Sequence, residues 1–183
     1  MSVGERNDGG ARMSIRRALM RSLVVALLAS FAGNFAAALS VGIVNVSNGL
    51  EGGMLWGLVL LLLPVANVIL YPVDLLPYAL FFCAYWLLLV RQCTGVQPLR
   101  HAVYVALLAV AAFGVSWPVV AFAFPPPNLG LHVTSLWFEM PWLVIPVFVV
   151  TAALLSLWFE RRARARLSAG AQAQEPLSGR AKV

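Results

Sequence analysis

At 183 residues, 61% hydrophobic and only 11% charged, the chain lies far below the roughly 25% charge of an average soluble domain. A water-facing surface cannot be assembled from so few charges, so the apolar runs read as bilayer spans. The net charge of +6 gathers at three places, the N-terminal tail, Arg91 with Arg100, and the C-terminal end, a distribution that sets topology and argues against a nucleic-acid partner.

In chain order, residues 1–21 read as a basic cytoplasmic tail, with 1–13 polar, Gly-rich and expected to be disordered. Ser14 is placed to cap a helix that opens with Arg16, Arg17 and Arg21. From residue 22 to 44 no charge occurs, enough for one crossing. Ala26, Ser30, Asn34, Ala38 and Gly42 recur every four residues, beside a row of Ala29, Gly33 and Ala37. Small residues in such rows let helix backbones approach, which drives packing in lipid, so Ser30, Gly33, Asn34 and Ala38 are expected helix-packing positions. Asn34 reads as an interhelical hydrogen-bonding group. A rival reading makes residues up to 38 a cleaved signal peptide, with Ala36-Ala37-Ala38 as the cleavage site; the apolar run beyond it, to Val44, favours a retained span.

Residues 45–53 form a turn-rich outer loop, and the run from Met54 to Val90 carries a single charge, Asp74. As one straight helix that run would measure about 55 Å, against a hydrocarbon core of roughly 30 Å. Keeping all three basic regions on one side requires an even number of crossings between each neighbouring pair. The run should therefore cross once, over residues 72–90, and leave 54–71 as a re-entrant or interfacial segment broken at Pro64.

Arg91 to Arg100 is then an inner loop, and residues 101–124 a third span with Ala102, Ala106, Val110, Gly114 and Pro118 expected on its packing face. Pro125-Pro126-Pro127 stops it. An outer segment, a fourth span over 141–159, and a basic, disordered tail over 161–183 complete the reading. Trp56, Trp117, Trp137 and Trp142 fall near outer boundaries, and Trp86 and Trp158 near inner ones, as interfacial indoles prefer. The expected fold is all-α: a four-transmembrane-helix bundle with an extra re-entrant segment, in a bacterial-type inner (plasma) membrane, both termini cytoplasmic.

Chemistry-bearing candidates are few. Asn67, Tyr71, Asp74 and Tyr78 cluster around Pro72 and Pro77, and an intramembrane carboxylate beside a helix break can line an ion or substrate path. The alternative is that Asp74 caps the second span from its first turn. Arg16, Arg17, Arg21, Arg161, Arg162, Arg164 and Arg166 read as topology anchors and contacts to anionic lipid heads. His132 and Glu139 share an outer loop with no further ligand nearby, so no metal is expected, and no cofactor. The chain lacks a Walker A loop, HExxH, GxSxG and a dinucleotide fingerprint. The leading expectation is a non-catalytic subunit or assembly partner of a membrane complex, joined to another membrane protein or to its own copies. A small transporter or channel using Asn67 and Asp74 is the alternative, and an outer-face lipid enzyme using His132 and Glu139 the third.

Overall fold

The computed structural model describes residues 14–49, 75–91, 97–123 and 140–174. Among them the chain forms four α-helices and no strand: α1 (Ile15–Ser47), α2 (Leu76–Arg91), α3 (Pro98–Ala123) and α4 (Pro141–Gln174). Local chemistry explains the ends. Ser14, in extended backbone, accepts from the Arg17 N–H at 3.4 Å and opens α1. Gly49, at φ 73, takes the left-handed turn that closes it, its N–H reaching the Val46 carbonyl at 3.0 Å. Pro98 and Pro141 stand first in α3 and α4, where the missing N–H would have had no helical partner.

Each helix packs on its two neighbours round a ring, in the order α1–α2–α3–α4 and back to α1. Cross-helix pairs give the direction: Arg21 of α1 meets Glu160 of α4, while Gly33 lies against Val144. Later in α1 is earlier in α4, so the two run antiparallel, and the same holds round the ring.

The core divides its volume unevenly. Phe81, Phe113 and Phe148, one each from α2, α3 and α4, meet edge-to-face around Phe148 at centroid distances of 5.0 and 5.2 Å, with Tyr78 at 5.6 Å from Phe113 and from Phe148. Against these rings α1 presents Ala26, Ala29 and Ala37, all buried. At Gly33 a Cβ would meet the Val144 carbonyl oxygen at 3.0 Å. Bulk on three helices is matched by a small face on the fourth, which is how a dense interior is reached without strain.

The surface is inverted relative to a soluble protein. Leu27, Phe31, Leu107, Phe122, Val150 and Leu154 point outward, whereas Arg21, Ser22, Asn34, His101, Ser116 and Ser156 are buried. Segments Ile15–Val44, Pro98–Phe122 and Pro141–Arg166 are long and apolar enough to cross a membrane. This is a membrane-type helical protein.

Three expectations bear comparison with these helices. First, α2 covers residues 76–91 of the expected second span, about 24 Å of helix; residues 72–74 of that span and the expected re-entrant segment 54–71 lie outside the described residues. Second, α4 does not end at the basic cluster but continues through it to Gln174. Its Ala-, Arg- and Gln-rich sequence is strongly helix-forming, and extending an existing helix is far easier than starting one. Third, the expected packing row on α3 turns outward: Ala102 is buried, but Val110, Gly114 and Pro118 are exposed. A row spaced by four drifts about 40° per step on a helix of 3.6 residues per turn. The buried face instead runs through His101, Val105, Ala109, Ala112, Phe113, Ser116 and Val120, which keep the helical period.

Candidate functional site

Five polar side chains, Arg21, Tyr85, His101, Ser156 and Glu160, converge at the end that holds the start of α1 and α3 and the last apolar turns of α2 and α4. Their centre is Arg21, 7% exposed, one turn after the exposed Arg17. Its Nη1 donates to Glu160 Oε1 at 2.7 Å. Its Nε donates to the Tyr85 hydroxyl at 3.1 Å, and Nη2 donates to the Ser156 carbonyl at 3.2 Å. Nη2 also lies 3.5 Å from His101 Nε2, a nitrogen that accepts when the ring carries its proton on Nδ1. The Tyr85 hydroxyl in turn donates to Ser156 Oγ at 3.2 Å. Phe159 covers the guanidinium, its ring centre 5.3 Å from Cζ.

Helical spacing makes this possible. Ser156 and Glu160 stand four apart on α4, so both face α1. His101 enters from the first turn of α3, and Tyr85 from the buried row of α2 that includes Phe81 and Leu89. One arginine thereby bridges all three of the other helices. A buried guanidinium is tolerated only when paired and hydrogen-bonded, and here both conditions hold. His101 Nε2 and Glu160 Oε1 are 3.9 Å apart, a carboxylate and an imidazole with Arg21 against both. A metal cation at that point would meet the guanidinium charge. Among the described residues no group of three His, Cys, Asp or Glu comes together to hold a metal.

Arg21 therefore departs from the lipid-head role expected of it: it is an interior residue. Arg16, Arg17, Arg161, Arg162, Arg164 and Arg166 are exposed. Of the expected helix-packing residues, Gly33, Asn34 and Ala38 are buried and Ser30 is half-buried, while Gly114 has open space where a Cβ would be. Asn34 Nδ2 donates to the Ser30 carbonyl at 2.9 Å and to the Tyr78 hydroxyl at 3.4 Å, joining α1 to α2. Of the four path candidates, only Tyr78 is in the described structure, within the aromatic core; Asn67, Tyr71 and Asp74 lie outside it, as do His132 and Glu139. The structure thus brings together residues that sequence reasoning did not combine: Arg21, Tyr85, His101, Ser156 and Glu160.

A signal for part of this set is present in the sequence. Glu160 is the acid closest to a basic cluster, and Arg21 the last charge before an uncharged run; charges at the edge of a span tend to pair with each other. Tyr85 and Ser156 carry no comparable mark. No protein-family model, no curated protein and no solved structure matches this chain.

Proposed function

We propose that the chain is a four-span integral membrane protein, with both termini on the cytoplasmic side of a bacterial-type inner membrane, acting as a non-catalytic subunit or assembly partner of a membrane complex. The observation that carries this reading is the Arg21 brace. Arg21, Tyr85, Ser156 and Glu160 bond to one another across helices, an arrangement that fixes helix positions rather than presenting a reactive group to a ligand. Interhelical hydrogen bonds of this kind hold bundles together in lipid.

The orientation is supported by charge. The start of α1, Arg91 at the end of α2, Arg100 in the first turn of α3 and the arginines of α4 all belong to one end of the bundle, and basic residues are retained on the cytoplasmic side. The residues preceding Leu76 would complete the crossing that α2 begins.

The test is purification of the full chain from its own membrane in a mild detergent, with its mass measured in the micelle. A complex of fixed stoichiometry, larger than the 19.8 kDa chain, containing a second copy or another integral membrane protein, is expected. A lone monomer at every detergent concentration would overturn the reading.

A further inference from the structure

Beside the brace, on the outward side of α1 and α4, lies a cleft of about 440 Å³, within the size range of small-ligand sites. It has two kinds of wall. Arg17, Arg162 and Arg166 line it with positive charge, and Met20, Val24 and Trp158 line it with apolar surface. The charges share a face because Arg162 and Arg166 stand four apart on α4, continuing the line of Trp158. The Arg162 guanidinium lies 5.1 Å from the Trp158 ring centre, so that ring holds it at the junction of the two walls. Arg21 also reaches the cleft, but its charge is balanced by Glu160 at 2.7 Å. Glu160 is the one acid among the described residues and is not part of the lining. The three remaining arginines leave the cleft strongly cationic.

We propose that this cleft binds one anionic phospholipid, with its phosphate between Arg17, Arg162 and Arg166 and the start of an acyl chain along Met20, Val24 and Trp158. Arginine matches phosphate oxygens with paired donors. An indole at this depth is where headgroup and hydrocarbon meet. A soluble phosphate would leave the apolar wall without a partner, whereas a phospholipid satisfies both. The inference rests on the membrane reading above and deepens it: it assigns a specific lipid contact to three of the exposed arginines and none to Arg16, Arg161 and Arg164, which do not line the cleft.

The test is native mass spectrometry of the full chain in detergent, titrated with phosphatidylglycerol and, separately, with phosphatidylcholine of the same acyl chains. One phosphatidylglycerol should be retained in preference to phosphatidylcholine. R17Q/R162Q/R166Q should weaken it about a hundredfold, from roughly fivefold per arginine near an anionic headgroup. R16Q/R161Q/R164Q, which removes the same charge, should stay within about threefold of wild type, the charge remaining exposed and screened. A163W, which fills the cleft without changing charge, should also lose the lipid. Equal weakening by the two triple variants, equal retention of both lipids, undiminished binding in A163W, or displacement by glycerol phosphate at the lipid's own concentration would each overturn the proposal. The outcome is independent of the complex: a monomer that retains the lipid would remove the subunit reading and leave this site standing.

Discussion

Arg21 concentrates the energetics of the interior at one residue. Its guanidinium is buried and paired with a carboxylate that keeps 22% exposure. Removing the partner leaves a buried charge uncompensated, which costs far more than the pair itself contributes. Glu160→Ala should therefore destabilise the bundle by about 2–3 kcal/mol, toward the lower end for such pairs because Glu160 is only part-buried. Tyr85→Phe removes one acceptor and one donor but no charge, and should cost about 1 kcal/mol. Thermal unfolding of both variants in the same detergent checks the order; equal losses would show that the charge pair is not the main constraint. The pairing of Arg21 with Glu160 is half-legible in the sequence, since Arg21 precedes one uncharged run and Glu160 ends another. Choosing Arg21 over its neighbours Arg16 and Arg17 is not, because the choice depends on which face of α1 meets α4.

At the scale of elements, the small face of α1 is the part that sequence spacing describes best. Ala29, Gly33 and Ala37 are buried as that spacing predicts, and the close approach is measured at Gly33, where an added Cβ would meet the backbone of Val144 rather than a movable side-chain tip. Gly33→Leu should force α1 and α4 apart and cost about 1–3 kcal/mol. Gly114→Leu, with open space at its Cβ, should not destabilise the isolated bundle and should gain up to about 1 kcal/mol, because it replaces a mid-helix glycine. Chemical or thermal unfolding in detergent distinguishes the two; a larger loss at Gly114 would reverse the assignment of the α3 face. Spacing failed on α3, where the row of fours turns outward. On α1 a row of the same length stays inward, with Ala26, Asn34, Ala38 and Gly42 buried and Ser30 half-buried. The extension of α4 to Gln174 has a different origin: low hydrophobicity reads as a tail, yet helix propensity and an existing helix are sufficient to continue it.

For the whole molecule, the antiparallel ring brings both the α1 start and the α4 end to the arginine-rich end of the bundle. With the native cysteines replaced, single cysteines tested by membrane-impermeant labelling give the orientation directly. Gly95→Cys and Val183→Cys should be protected in intact cells and His132→Cys labelled; the reverse pattern would overturn the proposed topology. Val73→Cys decides the segment before α2: labelled from outside, residues 54–71 do not cross, and protected, they do. The path candidates Asn67, Tyr71 and Asp74 belong to this question.

By itself the sequence determined that the chain is helical, that most of its length is too apolar for water, and where the charges that orient it reside. Those properties follow from composition and from intervals along the chain, which one dimension records in full. Only the tertiary structure decided that Arg21 faces inward and bridges three helices, that α3 buries His101 rather than Gly114, and that Arg17, Arg162 and Arg166 share a cleft with Trp158. These depend on the rotation of each helix about its axis. That rotation is settled by the joint packing of four surfaces, and a change of about 100° per residue separates an arginine on the outside of the bundle from one enclosed by its neighbours.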